Sequence, residues 1–271
     1  MKTGKTIFGS FLAILILIVA QFFSQLIIMA LNKVHLSDWT SSIVGMLLYM
    51  LIAYFLIKLL VTKYLKLDLK RVGIIHFQLS TLWIIVGILL PIIVLIAYFV
   101  MGGKFQLNSS RNFPNVIMNI FYGSIAAGFV EELVFRGVIL HLFSMRWNKI
   151  VGILLPSLIF ASMHLLNGNL NLLSASLLLI AGTLAGVMFS LIEMSENNFW
   201  NDAFVHAMWN LITSALICVN VHPQIQSLYT FIPNSKIFII TGGEFGMEAS
   251  IISVISYILI VFIAKLSMDN K

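Results

Sequence analysis

Two adjacent carboxylates interrupt an apolar stretch of this sequence, where charged side chains are rare. Glu131 and Glu132 stand in the run Gly-Phe-Val-Glu-Glu-Leu-Val-Phe-Arg-Gly, whose arginine is Arg136. Residues four apart share one face of a helix, so we expect a structural ion pair between Glu132 and Arg136. Glu131 points about 100° away from that face. It has no obvious local partner and is therefore suited to proton transfer.

Two histidines stand in later apolar stretches. Phe160 precedes His164 by four residues, and His206 precedes Asn210 by the same spacing. Each pair therefore lies on one helix face. Polar side chains at bilayer depth face the interior of a helix bundle and pair with one another. We therefore predict that His164, His206 and Asn210 converge with Glu131 on one site.

The expected depth of His206 in its helix argues against this convergence. A helix that begins at Asp202 places His206 only about 6 Å from its end, whereas Glu131 lies about 18 Å inside its own helix. Convergence therefore requires tilted helices or a seventh helix that begins earlier, near Asn198.

The composition indicates that the bilayer is the solvent for most of the chain. Of 271 residues, 60% are hydrophobic and 10% are charged, and the mean hydropathy is +1.04. Soluble domains carry about 25% charged residues. The net charge is +6, but the basic residues stand at the ends of apolar runs rather than in a stripe interleaved with aromatics. We therefore expect lipid contacts and no nucleic-acid partner.

Eight stretches are long enough, or nearly so, to cross a membrane, which takes about 20 apolar residues. A backbone in hydrocarbon must satisfy its own hydrogen bonds, so runs of this length are helices. The sequence predicts an all-α polytopic membrane bundle of about eight transmembrane helices, forming one membrane domain over residues 1–271. The predicted spans are Ile7–Leu31, Ser41–Val61, Thr81–Met101, Pro114–Phe143, Ile150–Leu166, Leu172–Ile192, Asp202–Val221 and Ala249–Ala264.

The basic residues are unevenly divided between the two ends of these spans. Lys and Arg collect on the cytosolic side of membrane proteins, so the richer side predicts cytosolic N- and C-termini in a cell-membrane protein. That side holds Lys2, Lys5, Lys58, Lys63, Lys66, Lys70, Arg71, Arg146, Lys149, Lys265 and Lys271. The other side holds Lys33, Lys104, Arg111 and Lys236.

The three polar groups, taken in order, resemble a known family. Glu-Glu-x-x-x-Arg, then Phe-x-x-x-His, then His-x-x-x-Asn is similar to the motif set of the CPBP family. This family of CaaX proteases and bacteriocin-processing proteins, also called Abi, includes the eukaryotic CaaX prenyl endopeptidase. All three motifs are present without substitution, and the resemblance covers about residues 114–221.

The resemblance implies an intramembrane endopeptidase that acts on a peptide or protein substrate in the membrane. Glu131 is then the general base that activates water, assisted by His164. His206 and Asn210 stabilise the oxyanion of the tetrahedral intermediate. The remaining motif residues then have structural or supporting roles: Glu132, Arg136 and Phe160.

The same residues are compatible with two kinds of catalysis, one that depends on zinc and one that is metal-free. Glu131, His164 and His206 could bind zinc as a two-histidine, one-carboxylate set with an open position. However, the sequence has no His-Glu-x-x-His, the helix-borne zinc signature. A carboxylate used as a ligand would also leave no obvious second base, which favours metal-free glutamate-type catalysis.

The substrate and two other functions stay open at this point. A prenylated CaaX-type tail and a bacteriocin or pheromone precursor are both compatible substrates. The first alternative function is a non-proteolytic one, as a bacteriocin self-immunity or membrane interaction protein. The second is a transporter or proton pathway that uses Glu131, His164 and His206 as relay sites. Transport favours internal repeats, and none is visible.

Overall fold

The computed structural model describes residues 1–109, 112–167 and 170–269. Two of the basic residues used for the topology prediction, Arg111 and Lys271, lie outside these ranges. The protein is a nearly all-α polytopic bundle. Five helical segments are long and apolar enough to cross a membrane: α1 (Thr3–Lys33), α2 (Asp38–Leu59) with its π-helical extension Leu60–Leu65, α3 (Thr81–Met101), α8 (Leu172–Glu196) and α11 (Ile251–Asp269).

The other predicted spans are shorter or interrupted. The fourth is a continuous helical run in which α turns alternate with wider π turns: α4 (Phe113–Met118), π Asn119–Ala126, α5 (Ala127–Val134), π Phe135–Ile139 and α6 (Leu140–Arg146). The fifth is α7 (Lys149–His164), and the seventh is α9 (Phe199–Asn210) with a π turn at Leu211–Leu216. The bundle thus contains helix in each of the eight predicted stretches.

The prediction for the seventh span is wrong at both ends. Its helix begins at Phe199 rather than Asp202, because Asn198 caps it by accepting from the Trp200 backbone N–H. Its helical part ends at Leu216, and the next three residues form a strand, β2 (Ile217–Val219). Hydropathy misses this change because a short apolar run fits strand and helix alike, and the β-branched Ile217 and Val219 favour the strand.

A small sheet that the sequence did not predict joins β2 to two loop segments. These are β1 (Gly103–Leu107), which follows α3, and β3 (Tyr229–Pro233). The strand order is β1-β3-β2, with β1 antiparallel and β2 parallel to β3. After β3 come a short α10 (Phe238–Thr241) and the 3₁₀ turn Met247–Ala249, which leads into α11.

Two apolar cores hold the bundle. One packs α1 and α2 against the run from the π segment after α4 to α6, and the other packs α3, α8, α9 and α11 together. Close contact between α5 and α9 depends on Gly128, because a Cβ there would lie 2.6 Å from the backbone nitrogen of Ala207. Small residues let membrane helices approach in this way. This crossing sets the polar residues of α5 beside those of α9.

Candidate active site

The four residues predicted to converge line one cavity. Glu131 on α5, His164 at the end of α7, and His206 and Asn210 on α9 all face a cavity of about 540 Å³. The earlier start of α9 resolves the depth conflict in part, since His206 lies about 10 Å into a helix that begins at Phe199.

Glu132 is the centre of a buried ionic network. Its carboxylate contacts Arg136 Nη1 at 2.9 and 3.0 Å, as the spacing predicts, and accepts from His206 Nδ1 at 2.7 Å. Glu132 and Arg136 are both fully buried. Because an ionised carboxylate can only accept, the His206 proton lies on Nδ1. His206 Nε2 then points towards Glu131 Oε2, which is 4.0 Å away.

Arg136 also contacts two other helices of the bundle. Its second nitrogen, Nη2, donates to the carbonyl of Gly186 on α8 at 3.1 Å. The guanidinium also lies 4.6 Å from the ring of Phe160 and 5.3 Å from that of Phe189. These cation–π contacts are stronger in a desolvated site. Arg136 therefore joins α5, α7 and α8 around Glu132.

In His164, as in His206, a hydrogen bond fixes the proton on Nδ1. Its Nδ1 lies 2.9 Å from the carbonyl oxygen of Phe160, one turn earlier on α7. A carbonyl only accepts, so Nδ1 carries the proton and Nε2 is left as an acceptor. The Phe160 ring packs against His164 and the edge of His206, with centroids 4.6 and 6.0 Å away. Phe160 thus spaces the two histidines.

Asn210 is the last residue of α9 before the helix widens. Its Nδ2 donates to the carbonyl of Gly123, in the π segment of the fourth span, at 3.2 Å. An amide nitrogen has two hydrogens, so one remains for a ligand in the cavity. Asn210 can therefore act as a neutral hydrogen-bond donor one turn from His206.

Glu131 differs from Glu132 in its surroundings. Its side chain is 24% exposed, whereas that of Glu132 is 0% exposed. Within the described residues, Glu131 Oε2 has no hydrogen-bond partner. Two neighbouring carboxylates thus occupy different environments, one closed by Arg136 and His206 and the other open to the cavity.

Sequence reasoning missed further acidic residues near the site. Glu248, from the turn before α11, lines the cavity, and Glu244 lines it nearer the surface. Asp202 and Glu193 are fully buried, and the Glu193 Oε1 lies 3.0 Å from His141 Nε2. The spacing could have found Asp202, which stands one turn before His206. No spacing links Glu248 to the motifs.

The same carboxylate and histidines are the donor types of a catalytic zinc centre. Zinc needs three protein ligands at about 2.0–2.2 Å from one point in an open catalytic site. Among the residues that the structure describes, no three His, Cys, Asp or Glu side chains are grouped in a way that could hold a metal ion. Glu131, His164 and His206 are therefore not grouped as a zinc site in this arrangement, and metal-free catalysis stays a prediction.

Fold and site together define an integral membrane protein with a carboxylate and two histidines around an internal cavity. Residues 113–212 match the family model described as Type II CAAX prenyl endopeptidase Rce1-like. This segment contains all three motifs, and the match confirms the resemblance to the CPBP family. It indicates protease activity of the intramembrane endopeptidase kind. No curated protein and no solved structure gives a significant match.

Proposed function

We propose that this protein is a glutamate-type intramembrane endopeptidase in which Glu131 activates the attacking water. The observation that carries the proposal is the contrast between the two adjacent glutamates. Glu132 is fully buried and paired with Arg136 and His206, whereas Glu131 lines the cavity with a side chain that is 24% exposed. A general base must reach its proton directly or through one water, and only Glu131 of the pair meets that condition.

His164 is the second acceptor for the water. Its Nδ1 proton is committed to the Phe160 carbonyl, so its Nε2 can accept one hydrogen of a water while Glu131 accepts the other. The water is then oriented with a lone pair towards the substrate carbonyl. As its oxygen bonds to the carbonyl carbon, Glu131 takes the proton and later transfers it to the leaving amine. The carbon–nitrogen bond then breaks.

His206 and Asn210 supply the donors for the oxyanion. A carboxylate 2.7 Å from Nδ1 stabilises His206 as an imidazolium, whose Nε2–H then points into the cavity. In that state the charges of Glu131, Glu132, Arg136 and His206 balance, which lowers the cost of their burial. The free hydrogen of the Asn210 amide is the second donor. Preorganised donors of this kind contribute about 3–4 kcal/mol each to stabilising a transition state.

The orientation in the membrane belongs to the same proposal. The excess of Lys and Arg at one set of helix ends favours cytosolic N- and C-termini in the cell membrane. The substrate is then a membrane-embedded or membrane-associated peptide, either a prenylated CaaX-type tail or a bacteriocin or pheromone precursor.

The test is cleavage by purified protein in proteoliposomes, with a farnesylated CaaX peptide and an unmodified leader-type peptide as probes. Hydrolysis in H₂¹⁸O is followed by mass spectrometry, which shows the cleaved bond and the labelled carboxylate. We expect cleavage by the wild type, loss in Glu131→Gln, and retention in Glu244→Gln, which alters an exposed carboxylate at the rim. Equal cleavage by Glu131→Gln would remove Glu131 from the mechanism. No cleavage of either probe by folded wild type would favour a non-proteolytic role.

A further inference from the structure

Glu248 brings a carboxylate into the cavity from outside the family match. It lies in the 3₁₀ turn Met247–Ala249, between α10 and the start of α11. The match ends at residue 212, so none of the three motifs includes this residue. The same cavity is lined by Glu131, His164 and His206.

The backbone that carries Glu248 is fixed by α11. The hydroxyl of Tyr257 donates to the Glu248 carbonyl at 3.3 Å, and that of Ser253 donates to the Met247 carbonyl at 2.7 Å. The Ser250 backbone N–H also bonds to the Met247 carbonyl, at 3.0 Å. A side chain on such a pinned turn is held in position, as a recognition residue requires.

Glu248 has no Lys or Arg partner among the described residues that line the cavity. That lining includes three glutamates and two histidines, and His206 is already paired with Glu132. The nearest buried arginine, Arg136, is engaged by Glu132 and the Gly186 carbonyl. Burial raises the pKa of the Glu248 carboxyl. A cation delivered by a ligand would relieve this unbalanced burial.

Aromatic rings stand beside this carboxylate. Trp209 and Tyr257 both line the cavity, and their rings pack edge to face with centroids 5.3 Å apart. Such rings accommodate the methylene stem of a long basic side chain and attract its charged head. A carboxylate next to aromatic faces suits Lys or Arg better than an uncharged group.

We propose that Glu248 is a specificity-determining residue that pairs with a Lys or Arg side chain of the peptide substrate. The proposal rests on the peptidase function proposed above and names its substrate class, a cationic peptide segment. A free substrate carboxylate in the cavity would meet the carboxylates of Glu131 and Glu248, with no Lys or Arg among the described lining to receive it. The geometry therefore favours a basic residue close to the scissile bond over a chain-terminal carboxylate there.

The test uses full-length protein in detergent and pairs of acetylated, amidated octapeptides that differ only by Lys or norleucine at one position. The ratio of kcat/KM within each pair measures charge recognition and is insensitive to a general loss of folding. For the wild type we expect a preference for Lys of about 10-fold or more at one position, the usual effect of one charged hydrogen bond. Glu248→Gln should reduce the ratio to near one, and Glu248→Asp should restore part of it.

Two further variants sharpen the comparison. Glu244→Gln is the matched control and should keep the preference, since Glu244 is exposed and accepts from the Asn171 backbone N–H at 2.7 Å. Glu248→Lys should favour a peptide with Glu at the same position over its Lys counterpart. An unchanged ratio in Glu248→Gln, or no preference in the wild type, would overturn the proposal.

A binding measurement separates this proposal from the peptidase function. Fluorescein-labelled versions of the same peptides are titrated against Glu131→Gln, and against that variant combined with Glu248→Gln, by anisotropy. Suppose that the wild type cleaves neither peptide, and that the Lys peptide still binds about 10-fold more tightly than the norleucine peptide, but only while Glu248 is present. The cation site then stands and the peptidase function fails. Equal binding of both peptides to both proteins overturns the cation site.

Discussion

Replacing Arg136 with alanine should destabilise the protein far more than replacing Glu131 does. Arg136 is fully buried and makes two contacts with Glu132 and one with the Gly186 carbonyl. Its removal leaves the Glu132 charge without its main partner, and breaking a buried pair in this way costs about 3–5 kcal/mol. That is a large part of the 5–15 kcal/mol that typically holds a domain together.

Replacing Glu131 with alanine should have little effect on the stability of the protein. Its side chain is partly exposed to the cavity and forms no hydrogen bond through Oε2 within the described residues. Glu131→Ala therefore removes no structural contact of comparable strength and should leave the amount of folded protein near that of the wild type. The two variants thus separate folding from catalysis on one helix.

A double variant tests whether the cost comes from the stranded charge. The double variant Glu132→Leu with Arg136→Met carries neither charge of the pair. It should therefore regain most of the stability that Arg136→Ala loses. Activity should not return, because His206 Nδ1 loses the carboxylate it contacts at 2.7 Å. The assay is reversible unfolding in mixed micelles, together with membrane-fraction levels. Wild-type stability in Arg136→Ala would refute the reasoning.

Three further outcomes are expected. His164→Ala should lower kcat by about 10²–10⁴-fold, the usual contribution of an acid–base group, at unchanged membrane levels, and a smaller effect would contradict its role. Gly128→Ala should reduce both activity and thermal stability, because its Cβ would press on the Ala207 backbone, whereas Gly4→Ala meets nothing within 4 Å and should be silent. Cleavage should persist in a chelator such as EDTA, and a loss that zinc reverses would instead establish a metalloprotease.

Hydropathy predicts much of this fold because lipid leaves the backbone few choices. Long apolar runs such as those of α1 and α3 must be helical to satisfy their own hydrogen bonds. The same reasoning fails where the chain leaves the regular α pattern. The π turns after Asn210 and the strand at Ile217–Val219 are as apolar as the helices around them, so composition alone does not distinguish them.

In the candidate site, too, the sequence predicts contacts within one helix but not contacts between separate elements. The i to i+4 spacing predicts the contact between Glu132 and Arg136, because both residues belong to one helix. The contact between Glu132 and His206 joins residues 74 apart, and it depends on how closely α5 and α9 approach. Glu248 was missed because a glutamate in a loop is ordinarily a solvated residue, and only the folding of that loop over the cavity gives it a ligand-facing position.

Wide helical turns flank the short α-helix that carries the two adjacent glutamates. The α turns of α5 are bounded by π segments on both sides, and Arg136 lies in the second of them. A π turn shifts the faces of a helix relative to the turns before it, and such turns are frequent at functional sites. Here Arg136 still reaches Glu132 on the closed side, while Glu131, one residue earlier, faces the cavity. Gly123, in the first π segment, holds Asn210 through its carbonyl. Straightening either segment should therefore displace a donor or the base, even though neither segment contains Glu131, His164 or His206.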